Sequence, residues 1–191
     1  MKHSILMLVL ALLKFSFLCA QYEYEPNDAN PYGLPNPKAP SEIKEYEQMI
    51  GICDCKSSRA GSDGKLAEPV SMIWEFKYIM NGMGVQDFTL KEDGTHSGSI
   101  RQFNPEEQKW YVHYYSSANP ASSLGTWEGG KIGNDIVLLK SQKAPNGMEG
   151  NFRITFKDIS EKGFNWTGEW VSLDESIEFL SWKIDCLKRQ E

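Results

Sequence analysis

The clearest pattern along this chain is an alternation of apolar and polar residues in its second half. In the segment 151–158, Phe152, Ile154 and Phe156 alternate with polar residues, and the segment 176–186 repeats the pattern. Successive side chains of a β-strand point to opposite faces, so alternation gives each strand one apolar face. The pattern therefore predicts strands that each bury one face.

Turn residues interrupt this pattern about every 10–15 residues from Gly51 onward. Pairs such as Asn81-Gly82 and Asp93-Gly94 supply the positive φ angles that tight hairpins need. Short connections leave little room for crossovers, so we expect an all-β fold, an antiparallel up-and-down meander of about ten strands that curls into a barrel. The strands are predicted near 52–57, 69–80, 84–91, 96–103, 109–116, 122–128, 134–141, 151–158, 163–173 and 176–186.

One short N-terminal segment, 41–50, has the spacing of a helix. Its expected N-cap is Ser41 and its stop is Gly51. An apolar stripe on this segment must dock on the barrel, so the barrel domain is predicted to span 41–191. The preceding segment 21–40 contains five prolines and few aliphatic residues, which predicts an exposed, disordered leader. The stripe consists of Ile43, Tyr46, Met49 and Ile50.

The first 20 residues have the pattern of a secretory signal peptide. Lys2 precedes an apolar run over 5–13, and the small residue Ala20 offers a cleavage site. A membrane-spanning helix needs roughly 20 continuous apolar residues, and Lys14 interrupts this run. We expect cleavage after Ala20, a secreted or periplasmic protein, and no membrane span after cleavage, with an uncleaved anchor as the alternative.

The charge of the chain disfavours nucleic acid as a partner. The whole chain has a formal net charge of −6, and removal of Lys2 and Lys14 leaves 18 basic against 26 acidic residues, a net charge of −8. Contacts between basic side chains and phosphates provide most of the nonspecific affinity for nucleic acids. We therefore expect no nucleic-acid partner.

Export changes the expectation for the cysteines. Cys53, Cys55 and Cys186 remain after cleavage, and an oxidising compartment favours a disulfide. A bond between Cys53 and Cys55 would be strained, because alternate strand residues lie near the upper limit of the Cα separation that a disulfide bridges. We expect Cys186 to pair with Cys55, or alternatively with Cys53, which would tie the first strand of the domain to its last.

The segment from Ser99 to Trp127, SIRQFNPEEQKWYVHYYSSANPASSLGTW, resembles the central part of the DUF1579-type, lipocalin-like domains. The shared features are a strand ending in an aromatic residue, an Asn-Pro turn, a Lys-Trp strand and a later Phe-Arg-Ile-Thr-Phe strand at 152–156. The likeness covers about 51–188 and includes no catalytic signature. It implies a calycin-like β-barrel from a family without a settled biochemical function.

Several sites of established chemistry are not favoured by the sequence. Cys-Asp-Cys lacks the spacing of a zinc site, so no metal is expected. Haem could bind through His96 or His113, but a histidine in a barrel wall is more often hydrogen-bonded to a neighbour. No nucleophile motif or phosphate-binding loop is present, and no cofactor is expected.

The strand at 109–116 carries aromatic residues on both faces, which indicates a wall between a packed side and a lined cavity. Charged groups inside a barrel must be paired or hold a ligand. For an inward Arg153, the simpler alternative to ligand binding is an internal salt bridge with Glu128 or Glu169. The residues predicted to line the cavity and bind a ligand are Arg101, His113, Tyr115 and Arg153 as polar groups, and Trp127 as an apolar wall.

Three classes of function remain open at this point. The leading hypothesis is a non-enzymatic barrel that binds a small hydrophobic or amphipathic molecule. The second is a lyase, isomerase or hydrolase that uses His113 with Glu128 or Asp87 as acid and base. The third is a structural or surface-interaction domain with an exposed aromatic patch.

Overall fold

The computed structural model describes residues 22–190, and the predicted signal peptide at 1–20 lies outside them. The fold is all-β, as predicted: ten antiparallel strands form a closed barrel in which each strand pairs with its neighbours in sequence. The strands are β1 (Gly51–Arg59), β2 (Val70–Ile79), β3 (Gly84–Lys91), β4 (His96–Asn104), β5 (Lys109–Ser116), β6 (Gly125–Ile132), β7 (Asp135–Ser141), β8 (Gly150–Ser160), β9 (Gly163–Ser172) and β10 (Glu178–Lys188).

The barrel closes by antiparallel pairing of β1 with β10. Cys55 lies directly opposite Cys186 in this register, and the two form a disulfide. This confirms the predicted bond between the first and last strands. Cys53, the alternative partner, is a buried free thiol, and burial raises its pKa to about 11 because the thiolate is poorly solvated there.

The position of β6 differs from the prediction. The sequence indicated a strand at 122–128 followed by a turn at Gly129-Gly130, whereas β6 continues through both glycines. Gly129 has a φ of 153°, and a Cβ atom at this position would collide with the carbonyl oxygen of Val137 on β7. The glycine therefore marks a close approach of two backbones inside the sheet.

The predicted helix is present as a 3₁₀ helix, Ser41–Met49. Its buried residues, Ile43, Tyr46 and Met49, recur every three residues, which matches the three residues per turn of a 3₁₀ helix. The prediction of Ser41 as N-cap is wrong: Pro40 precedes the helix and no side chain caps it. The helix packs into one end of the barrel, where Tyr46 meets the ring of Trp110 edge-to-face at a centroid distance of 4.8 Å.

The segment before the helix differs from the exposed, disordered leader expected for 21–40. Its described part is hydrogen-bonded to the β2–β3 turn: the Tyr24 amide donates to the Asn81 side chain at 3.0 Å, and the Asn36 amide donates to the Gly82 carbonyl at 3.1 Å. These hydrogen bonds satisfy backbone N–H groups of two residues that belong to no strand or helix. Residues 22–40 are therefore attached to the barrel at the β2–β3 turn.

The two ends of the barrel are different. Because neighbouring strands are antiparallel, alternate connections lie at the same end. The 3₁₀ helix covers the end with the short connections, which we call the helix end. The opposite end, the loop end, carries the connections 60–69, 92–95, 117–124, 142–149 and 173–177.

Candidate functional site

A cavity of about 510 Å³ occupies the barrel between the helix and the loop end. At the loop end it is lined by Asn119 and Gln142, which are both exposed, so the cavity opens there. Its size lies within the range of roughly 300–1,000 Å³ that is typical of small-molecule sites. The barrel interior is therefore not completely filled by its own side chains.

Aromatic side chains form a large apolar part of the cavity wall. The indoles of Trp166 and Trp182 meet edge-to-face at a centroid distance of 5.1 Å, and Trp127 lies 6.1 Å from Tyr114. Such rings offer large apolar contact area with little loss of side-chain entropy. The aromatic residues of the lining are Trp74, Tyr114, Trp127, Phe152, Phe156, Trp166 and Trp182.

The inward faces of β3 and β4 form a polar wall around Asp87. The Asp87 carboxylate accepts hydrogen bonds from the Trp74 indole at 3.0 Å, from the Ser99 hydroxyl and from the Arg101 guanidinium. Thr89 and Ser97 continue this wall, with their hydroxyl oxygens 2.5 Å apart. A buried carboxylate is stable only when it is paired in this way.

Arg101 lies at the floor of the cavity and is 2% exposed. Its Cζ atom is 5.1 Å from the ring centroids of both Tyr46 and Phe76, so the floor is in direct contact with the helix. Burial lowers the pKa of the Arg101 guanidinium from its ordinary value, because desolvation disfavours the charged form. Its Nε atom has no hydrogen-bond partner among the described residues.

Two of the five predicted ligand-binding residues line the cavity. Arg101 forms part of the floor and Trp127 part of the aromatic wall. The indole Nε1 of Trp127 is buried and has no hydrogen-bond partner within residues 22–190. The structure brings these two residues to one cavity, and their role in binding stays a prediction.

The expectation that His113 and Tyr115 point into the barrel is wrong. Their strand neighbours Val112 and Tyr114 line the cavity, so the alternation of side chains places His113 and Tyr115 on the outer face. His113 Nδ1 lies 3.0 Å from the Thr126 hydroxyl, and the Tyr115 hydroxyl accepts a hydrogen bond from the Gln86 side chain. The physical reason is that the more apolar face of β5 fills the interior.

Arg153 also lies on the outer face, because its neighbours Phe152 and Ile154 line the cavity. The predicted pair with Glu169 is present, at 2.8 Å, but it is not internal. Glu175 and Glu178 bind the same guanidinium at 3.2 and 2.9 Å. These carboxylates raise the pKa of Arg153, although its partial burial acts in the opposite direction. Arg153 therefore stabilises the β8–β9–β10 surface.

The proposed acid–base pairs of the enzyme hypothesis are not brought together inside the barrel. His113 faces outward, whereas Asp87 faces inward and is bound to Trp74, Ser99 and Arg101. Glu128 is exposed and pairs loosely with Lys109, at 3.6 Å. No enclosed site joins His113 to either carboxylate in the described part of the chain.

The sequence reasoning missed the polar wall and the cations of the lining. Ser97 and Ser99 share the parity of Arg101 on β4, which was a usable signal for one inward polar face. Arg59 and Lys140 line the cavity near its mouth. Arg59 shares the parity of the buried Cys53 and Cys55 on β1, and Lys140 shares that of Ile136 and Leu138 on β7, so the same signal was available for both cations.

Residues 22–190 lack two further features. They contain no group of three or more His, Cys, Asp or Glu side chains placed to hold a metal ion. They also contain no helix that is long and apolar enough to cross a membrane. In comparisons with known proteins, no protein-family model and no curated protein sequence matches this chain.

Proposed function

We propose that this chain is an exported binding protein that holds a small hydrophobic or amphipathic molecule in its barrel cavity. The observation that carries the proposal is the cavity itself, about 510 Å³ in volume, lined by seven aromatic side chains among others and open at the loop end. Sites with this shape and lining are typical of small-molecule binding. A purely structural barrel would gain stability by filling the same space.

The exported part of the proposal rests on two features. The signal-like pattern of residues 1–20 predicts secretion, and the disulfide between Cys55 and Cys186 is compatible with an oxidising compartment. The proposed relation to DUF1579-type, lipocalin-like domains rests on the motifs in 99–127 and 152–156 alone.

Titration with N-phenyl-1-naphthylamine, a neutral and environment-sensitive fluorophore, tests the binding function. We expect saturable binding of one probe per barrel, with a blue-shifted probe emission and quenching of the cavity tryptophans. The purified mature protein is used, and its secondary structure is followed by circular dichroism. Absence of saturable binding by the folded protein would contradict the proposal.

A matched pair of variants locates the probe. Val112 is 2% exposed and lines the cavity, so V112F places extra volume inside it. Val137 alternates with the inward Ile136 and Leu138, so V137F adds the same volume on the outer face. We expect V112F to weaken probe binding at least tenfold and V137F to leave it near the native value. Equal effects of the two substitutions would place the probe outside the cavity.

A further inference from the structure

We propose that the mouth of the cavity is an anion subsite, in which Arg59 and Lys140, assisted by Lys91, hold the acidic head group of an amphipathic ligand. This inference rests on the proposed binding function and narrows it to a chemical class. The ligand would be an organic anion, with its apolar body against the aromatic wall and a carboxylate or sulfonate-like group at the mouth.

The first observation is the placement of the cations against the cavity wall. The guanidinium carbon of Arg59 lies 4.0 Å from the ring centroid of Trp182, and Lys91 Nζ lies 5.2 Å from the same ring. Lys140 Nζ lies 4.8 Å from the ring of Trp127. Both indoles line the cavity, as do Arg59 and Lys140. The positive charges are therefore held on the rings that an apolar ligand would contact.

The second observation is that these cations lack carboxylate partners. The chain has four arginines, and Arg101, Arg153 and Arg189 each form an ion pair. Arg59 has no carboxylate within 4.0 Å in the described range 22–190, and the same is true of Lys91 and Lys140. The chain has 26 acidic residues, yet within residues 22–190 none of them forms an ion pair with these three cations.

The third observation is the charge balance of the lining. Among the described residues that line the cavity, the only carboxylate is that of Asp87, which is already bound by Arg101. Arg59 and Lys140 are therefore unbalanced positive charges in a cleft with apolar walls, which strengthens their field toward an incoming anion. The aromatic interior alone would accept a neutral molecule, whereas this mouth favours an anionic one.

The environment of Lys91 is consistent with unbalanced positive charge. Partial burial and the neighbouring charge of Arg59 lower the pKa of Lys91, and the Asp93 carboxylate opposes this shift only in part. A bound anion would relieve the repulsion between the two cations. It would also accept charge-assisted hydrogen bonds, which are stronger than neutral ones.

Two probes that differ by one charged group test the inference. N-phenyl-1-naphthylamine is neutral, and 8-anilino-1-naphthalenesulfonate has the same aromatic framework with an added sulfonate. At low salt we expect the native protein to bind the sulfonate probe about tenfold more tightly than the neutral probe, as one or two charge-assisted contacts would give. Added NaCl should reduce this ratio, because it screens exposed charges.

Charge-removing variants connect the ratio to the mouth. In R59Q/K140Q we expect the ratio of the two dissociation constants to fall to within about threefold of one. The control K131Q/K157Q removes the same net charge from residues that do not line the cavity, and it should keep the native ratio. Saturable binding of the neutral probe by each variant reports that the barrel is folded.

The outcomes separate the two proposals. Equal affinity of the native protein for both probes would overturn the anion subsite and leave the binding cavity in place. A native-like ratio in R59Q/K140Q would also overturn it, because the selectivity would then arise elsewhere. Absence of saturable binding of either probe would contradict the binding function itself.

Discussion

Removal of the Cys55–Cys186 disulfide, which joins β1 to β10, should lower the free energy of unfolding of this barrel by about 5 kcal/mol. Cys55 and Cys186 are separated by 131 residues. In the chain-entropy model, a crosslink over a loop of that length lowers the entropy of the unfolded chain enough to stabilise the fold by about 5 kcal/mol at 25 °C. A domain of this kind is stable by only about 5–15 kcal/mol, so C55A/C186A would lose a third of its stability or more.

Denaturant unfolding, followed by tryptophan fluorescence, measures this difference. The matched control is C53A, which removes a sulfur from a buried position on the same strand without opening a crosslink; we expect it to cost about 1 kcal/mol. Native protein unfolded in the presence of a reductant should approach the double variant. A difference below about 1 kcal/mol between native protein and C55A/C186A would refute the entropic reasoning.

Three further predictions concern buried or shifted groups. Because burial raises the pKa of Cys53 to about 11, its thiol should resist iodoacetamide at neutral pH until the barrel unfolds; alkylation of folded protein at the rate of a free thiol would contradict this. R101M should lose about 3–5 kcal/mol in denaturant unfolding, because it leaves Asp87 buried and unpaired, and R101M/D87L should lose less; a larger loss in the double variant would contradict this. Hydrogen bonds from Ser172 and Ser176 lower the pKa of Asp174 to about 2, so these bonds should persist above pH 4 and be lost as pH falls through about 2. An NMR titration midpoint near 4 would contradict this.

Much of the fold follows from local patterns in the sequence. The predicted bounds of β3 and β5 agree with the observed strands at 84–91 and 109–116, because turn residues flank regular alternation on both sides. The end of β6 was less predictable, since Gly129 serves a close contact with β7 and such a contact is visible only once the strands are paired. The Cys55–Cys186 bond followed from the order of strands and the expected barrel closure.

The candidate site was less predictable, because parity alone does not say which face of a strand is inside. On β8 the apolar residues Phe152 and Ile154 define the interior, so Arg153 belongs outside. On β5 both faces carry aromatic residues, and only the pairing with β4 and β6 places Val112 inside and His113 outside. The burial of Arg101 was predictable from the sequence. The identity of its ion-pair partner, Asp87, was not, because it depends on the register between β3 and β4.

A crystal structure of the protein grown with 8-anilino-1-naphthalenesulfonate would show directly whether the barrel holds an amphipathic anion. We expect density for the naphthalene and phenyl rings inside the barrel, against Trp127 and Trp182, with the sulfonate at the mouth near Arg59 and Lys140. An interior filled by its own side chains, with the probe absent or bound only on the outer face, would contradict it.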